Sequence, residues 1–196
     1  MPEPNRALRQ VRSTQTQFRA SRAENGELHI TGHFAVFGSN YELWPGATES
    51  VAPTAFDGAL EDDIRGLIDH ETRLVLGRNK AGTLTLKVDG KGLWGDIVVN
   101  QSDQDAMNLY ARVERGDVDQ CSFGFDILEE ETEWRPDGSV HWTIKRVKLY
   151  EVSVVTFPAY EDTSVEARRR DYDQNKTRQT QAWREQMKAR YCKHGS

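Results

Sequence analysis

Much of the chain alternates between apolar and polar positions. Leu28, Ile30, Gly32, Phe34 and Val36 fall on one face of an extended run, the period-two pattern of a half-buried strand. Residues 82–88 and 93–99 flank Asp89-Gly90-Lys91-Gly92, which predicts a hairpin with glycine where a positive φ is needed. A second hairpin is predicted at Arg135-Pro136-Asp137-Gly138, between residues 123–128 and 140–147, from the turn chemistry of those four residues. A last strand over 148–157 is halted by Pro158. Strands at this spacing predict a barrel or a sandwich, mainly β with flanking helices.

The helical pattern is sparser. Ser102 and Asp105 predict a capping-box-like start, with Asp103 adding negative charge at the positive end of the dipole. Ala106, Leu109, Tyr110 and Val113 form the stripe to be buried, Arg112 and Arg115 suit the last turn, and Gly116 suits the C-cap. A shorter helix is predicted over 54–60 after Pro53, with Gly58 unfavourable within it.

Length changes the picture modestly: 196 residues suffice for one domain with a substantial core. No apolar run approaches the ~20 residues of a membrane-spanning helix, so a soluble protein is expected. Residues 1–17 are rich in Arg, Gln and Pro without an apolar core; neither secretory signal nor lipid anchor is visible there, which points to an intracellular site. Cys121 and Cys192 are far apart, against a disulfide framework or a zinc site.

Charge divides the chain. Residues 1–165 hold 17 Lys and Arg against 27 Asp and Glu, a balance of −10, whereas residues 166–196 hold 9 against 4, or +5. The expected organisation is an N-terminal extension (1–24), a folded domain (25–165) and a basic tail (166–196). In the tail Trp183 and Met187 lie one helical turn apart, so it reads either as a weakly amphipathic docking helix or as a solvated extension. It carries no nucleic-acid-binding motif.

Candidate chemistry sits in three segments: Asp69-His70-Glu71, Cys121-Ser122-Phe123-Gly124-Phe125 and Tyr150-Glu151-Val152-Ser153. They supply an imidazole, a hydroxyl and a carboxylate, the set needed for a serine nucleophile with an oriented base. In a strand Cys121 and Ser122 point to opposite faces. Cys121 shares its face with Phe123 and Phe125 and reads as a small buried hydrophobe, while Gly124 leaves space beside the Ser122 hydroxyl. His70 ends the apolar run over 64–68. Among the other histidines, His29 and His33 take the polar side of an early strand, His141 follows a turn and His194 is in the tail. Glu151 shares a face with Val147, Leu149, Ser153 and Val155, largely apolar, and therefore needs a partner: an imidazole N–H, or a salt bridge to Arg146, Lys148 or another strand.

The order of these residues, with Gly32-His33-Phe34-Ala35-Val36-Phe37-Gly38, Val51-Ala52-Pro53-Thr54-Ala55-Phe56 and the Glu151-Val152-Ser153-Val154-Val155-Thr156-Phe157-Pro158-Ala159 strand, resembles the prohead proteases of tailed bacteriophages over residues 25–165. That resemblance implies a serine endopeptidase of capsid maturation, with a closed β-barrel of the herpesvirus assembly-protease type and helices around it. It implies cleavage of a scaffolding protein, or of the scaffolding segment of the major capsid protein, and of the enzyme itself, inside the assembling procapsid in the host cytoplasm. His70 maps as general base, Ser122 as nucleophile and Glu151 as the third member, with Asp69 and Glu71 as substitutes for Glu151. No cofactor is implied. Oxyanion donors are expected from backbone N–H groups around Pro158-Ala159-Tyr160, the tail is a candidate docking and self-cleavage segment, and the acidic body and basic tail suit charge-driven self-association. An inactive assembly module with the same barrel is the alternative; a small-molecule-binding barrel ranks behind it.

Overall fold

The computed structural model describes residues 10–15 and 18–157 and, further along, residues 169, 172–174, 176–178, 180–181 and 184–185. The chain divides into two units, residues 6–160 and a second one comprising 1–5 and 161–196. In the second unit the described residues are helical. Thr177 Oγ1 donates to the Asp173 carbonyl and Thr180 Oγ1 to the Lys176 carbonyl, both at 2.8 Å. The expected Trp183 and Met187 stripe lies outside the described residues.

The first unit contains eleven strands and one α-helix among its described residues. β2 (Arg19–Arg22), β3 (Leu28–Val36), β9 (Gly92–Val99) and β8 (Leu84–Val88) form a four-stranded antiparallel sheet in that order. A seven-stranded sheet runs β1 (Gln10–Gln15), β10 (Gln120–Trp134), β11 (Val140–Val155), β5 (Ala47–Val51), β4 (Tyr41–Trp44). β6 (Arg65–Ile68) also pairs with β11, and β7 (Glu71–Arg78) pairs with β6. One edge of β11 is thus shared: β5 runs parallel to its first half, Val140 to Ile144, and β6 parallel to its second, Glu151 to Val154. The predicted strands over 140–147 and 148–157 are this single sixteen-residue strand.

The expected closed barrel of the herpesvirus assembly-protease type is not what forms. Both sheets are open, and no ladder joins one to the other among the described residues. They meet through side chains instead: Phe34, Leu93 and Ile97 of the smaller sheet share one core with Phe123, Phe125, Val152 and Val154 of the larger. Cys121 Sγ, fully buried as expected, donates to the His33 carbonyl at 3.0 Å. Alternation assigns a residue to a face and leaves strand order open, so it could not separate a barrel from two packed sheets.

Local chemistry follows the sequence with corrections. α1 (Gln104–Arg115) buries the expected stripe, but its cap is Asp103 rather than Ser102: Asp103 Oδ1 accepts from the N–H groups of Asp105 and Ala106, the N2 and N3 donors that a cap must satisfy. Gly116 closes the helix at φ 83°. The helix predicted over 54–60 is a series of turns ending in a 3₁₀ turn at Ala59–Glu61, because Gly58 takes φ 76°.

In the β8–β9 hairpin neither Gly90 nor Gly92 has positive φ. The turn is held by Asp89, whose Oδ1 accepts from Lys91 and Gly92 N–H. Gly92 is required by close approach, since a Cβ there would lie 1.9 Å from the Ala35 carbonyl oxygen. The Asp89 carboxyl is lowered from 3.8 to about 2, first by its hydrogen bond with His33 Nε2 and next by the Lys91 N–H. A depressed carboxyl contributes stability above its unfolded pKa and loses that contribution as pH falls through the folded value. The Tm gap between wild type and Asp89→Asn is therefore expected to be full above pH ~5 and to close by pH ~1; a gap constant across that range would show that the carboxylate charge does not hold the turn.

Candidate active site

β6 delivers the histidine. After Ile68 the chain reverses into β7 through Asp69 and His70, both left-handed at φ 47° and 61°. Positive φ at two successive central residues is the twist of a type I′ hairpin, usually supplied by Asn-Gly, and it is rare outside glycine. The turn is clamped: Asp69 N–H donates to the Val154 carbonyl at 3.0 Å, and the Asp69 carboxylate accepts from Thr156 N–H at 2.7 Å. One flanking acid thus holds the backbone, and the other, Glu71, is exposed beside Arg73.

The turn carries the imidazole over the face of β11 that bears Glu151 and Ser153. His70 Nδ1 lies 2.8 Å from Glu151 Oε1, and Ser153 Oγ donates to Glu151 Oε2 at 2.5 Å. Glu151 is 2% exposed, so its charge is held by these donors away from bulk water. Of the partners foreseen for it, the imidazole is the one found: Arg146 lies against Glu129 and Lys148 over the Tyr150 ring. A carboxylate accepts only, so Nδ1 is the donor in this pair, and in the neutral ring Nε2 is then the nitrogen with the lone pair. Nε2 is buried without a hydrogen-bond partner among the described residues.

Ser122 stands across the ladder from Ser153, as Gly124 does from Glu151. Side chains of paired residues share a face, so Ser122, Ser153 and Glu151 belong to one surface. Yet Ser122 and His70 do not hydrogen-bond. Ser122 Oγ donates to the Arg12 carbonyl at 3.0 Å and accepts from Ser13 Oγ at 3.1 Å. β1 runs alongside, its Val11 and Ser13 pairing with Gly124 and Ser122, and Ser122 is 0% exposed.

Three neighbours escaped sequence reasoning. Ser153 could have been found from its i+2 relation to Glu151. Arg12 and Glu49 gave no signal: they lie 37 positions apart and meet as a buried pair, Arg12 Nη2 donating to Glu49 Oε2 at 2.9 Å and Nε to Oε1. The remaining described histidines are otherwise engaged, His29 with Asp96 and His33 with Asp89, and His141 between Thr48 and Ser50 hydroxyls; His194 lies outside the described residues. Among the described residues no group of three or more His, Cys, Asp and Glu is arranged to hold a metal, and no helix is long and apolar enough to cross a membrane. The segment expected to supply oxyanion donors, residues 158–160, lies outside the described residues.

A histidine tied to a buried carboxylate, on a sheet face that also carries a buried serine, has the make-up of a hydrolase centre. In agreement with it, the family described as Caudovirus prohead serine protease matches residues 14–178, and the chain belongs to that family. The prohead protease of Enterobacteria phage HK97 is 27% identical over 140 residues, which are 69% of this chain and 60% of that protein, so the chain spans less than two thirds of its relative's length. The solved bacteriophage T4 capsid assembly protease gp21 aligns with a TM-score of 0.48 and 12% identity, over 75% of this chain and 98% of that one.

Proposed function

We propose that the chain is a serine endopeptidase of phage capsid maturation in which Ser122 is the nucleophile, His70 the general base and Glu151 the carboxylate that orients it. One observation carries the reading: His70 Nδ1 is hydrogen-bonded to the buried Glu151 carboxylate, and Nε2, on the face that bears Ser122, has no hydrogen-bond partner among the described residues. Ser122 Oγ attacks the scissile carbonyl while Nε2 takes its proton; the same proton is passed to the leaving amine, and water then hydrolyses the acyl-enzyme with His70 again as base. The chemistry needs no cofactor.

As in the HK97 relative named a prohead protease, the substrate is assigned to the procapsid: a scaffolding protein or the scaffolding segment of the major capsid protein, and the chain itself, cut within the assembling particle in the host cytoplasm. The basic segment 166–196 is assigned a docking role against an acidic partner, a second copy included. The domain boundaries 1–24, 25–165 and 166–196 belong to this reading.

The test is intact-mass analysis of the capsid protein after co-expression with wild type or Ser122→Ala. Trimming by the wild type alone upholds the reading. Uncut capsid protein in assembled procapsids from both samples would replace it with the inactive assembly module, and equal trimming by both would remove the nucleophile role from Ser122.

Asp69 is assigned a positioning role, since it holds the left-handed turn that aims His70. Misplacement of a base by about 1 Å can cost ~10²-fold. Asp69→Ala is therefore expected to lower kcat by about that factor with KM little changed, and Asp69→Asn, which keeps an acceptor for Thr156 and tolerates positive φ, by less than ~10-fold. Equal losses in both variants, or a loss confined to KM, would show that the turn does not act through His70.

A further inference from the structure

β1 lies on the candidate nucleophile in the manner of a bound peptide. It adds antiparallel to β10 with Ser13 opposite Ser122. The Arg12 carbonyl oxygen is 3.0 Å from Ser122 Oγ, which puts the carbonyl carbon roughly 3–4 Å from that oxygen given a C=O bond of ~1.2 Å, close to the separation of a reactive pair. The Arg12 side chain leaves from the other side of the pleat and is 1% exposed. It ends on Glu49, itself 0% exposed, in a two-pronged contact of the kind that reads a guanidinium. Its Nη1 donates to the Val11 carbonyl at 2.8 Å, and the Phe125 ring lies 5.8 Å from its Cζ.

A strand added at an edge gains affinity from its main chain and specificity from side-chain pockets. As pure packing the charges in that pocket make little sense, since a buried ion pair is often no better for stability than an apolar pair of the same volume. As recognition they do: an acid at the base of a slot beside a nucleophile selects a basic residue on the acyl side of the cut. We propose that β1 is an intramolecular substrate with Arg12–Ser13 as the scissile bond, and that Glu49 and Phe125 form the subsite that selects Arg or Lys, in this chain and in the polypeptides it cuts. The inference rests on the protease reading above.

The step balances with water as co-substrate. Ser122 Oγ turns from the Arg12 oxygen to its carbon and forms the C–O bond, while its proton passes to His70 Nε2. The Arg12 C–Ser13 N bond breaks and Ser13 N takes that proton as the new N-terminus. Water adds to the ester and yields a proton to Nε2; the Arg12 carboxylate departs and Oγ regains its proton. Until then β1 keeps Ser122 out of solvent, so the first cut opens the site to other chains.

The test uses the full chain. N-terminal sequencing and intact mass are read on wild type, Ser122→Ala and Arg12→Gln after co-expression with the capsid protein. The recovered wild type is then assayed on quenched hexapeptides built on Gln10–Gln15 with Arg, Lys, Gln or Glu at the third position. Expected are a wild-type chain beginning at Ser13, both variants intact at that bond, and kcat/KM for the Arg and Lys peptides about 100-fold above the Gln and Glu ones, the cost of leaving one buried acceptor unsatisfied. Glu49→Gln is expected to collapse that ratio; if it does not fold, the wild-type ratio still decides. Ser122-dependent trimming of the capsid protein with the Arg12–Ser13 bond intact, or peptide cleavage indifferent to the third residue, would overturn the inference and leave the protease reading standing. No Ser122-dependent cleavage of any kind would overturn both.

Discussion

Ser122→Ala and His70→Ala are each expected to lower kcat by about 10⁶, and the double variant by no more than either alone. The reason is that each group works only through the other: without Nε2 the hydroxyl keeps its proton, and without the hydroxyl the imidazole has nothing to activate. The residual rate of all three variants should coincide. The stability cost is a separate matter, because Ser122 Oγ donates to the Arg12 carbonyl and accepts from Ser13; losing them is worth on the order of 1 kcal/mol apiece, a few degrees in Tm for a chain of this size. Cys121→Ala serves as the contrast. Its sulfur is in the core on the opposite face of β10, bonded to the His33 carbonyl, so the variant should lose stability and keep its turnover within ~10-fold of wild type. Multiplying losses in the Ser122/His70 double variant, or a Cys121→Ala rate as low as that of Ser122→Ala, would show that serine and histidine do not act as one unit.

Much of this arrangement could be read locally. Leu28, Ile30, Phe34 and Phe123 fall where alternation puts them, and α1 buries the expected stripe and ends at the expected glycine. Local expectations failed where two residues competed to satisfy the same backbone groups. Asp103 caps α1 although Ser102 precedes it, and Asp89, not a left-handed glycine, closes the β8–β9 turn. The Asp69-His70 turn was missed because no glycine marks it. An unfavourable backbone at two residues is tolerated only where surroundings over-determine it, here the clamp on Val154 and Thr156.

The rest depends on pairings that have no local signature. β5 and β6 both run parallel to β11, and parallel partners are joined by long connections, so nothing near Glu49 or Leu67 in the chain announces which strand each will meet. The same holds for Arg12 and Glu49. Each alone looks like an ordinary surface charge, and only the two ladders β1–β10 and β5–β11 bring them together. A histidine, a serine and a glutamate were legible as types in order; that the serine would be covered by the chain's own N-terminal strand was not.

Glu151→Gln is expected to lower kcat by about 10⁴ with the fold retained, because the substitution keeps the volume and exchanges acceptor for donor at one end. Glu151 accepts from His70 Nδ1 at one oxygen and from Ser153 Oγ at the other. A glutamine has one acceptor oxygen. If that oxygen stays with Ser153, the amide nitrogen faces Nδ1, the ring proton must move to Nε2, and the base is lost. If it turns to His70, the tautomer survives, Ser153 must rotate to accept from the amide, and the imidazolium formed in the transition state has lost its counter-charge. Both outcomes are costly, which is why an isosteric change at a 2% exposed position should act on rate and not on shape. Ser153→Ala, which removes one donor and leaves the charge, is expected to cost about 10-fold, the worth of one hydrogen bond to a charged group at its low end. The measurement is single-turnover cleavage of the wild type and both variants at matched Tm. A Glu151→Gln rate within tenfold of wild type would release Glu151 from the orienting role. The two other acids named for that role are engaged elsewhere: Asp69 accepts from Thr156, and Glu71 lies exposed beside Arg73.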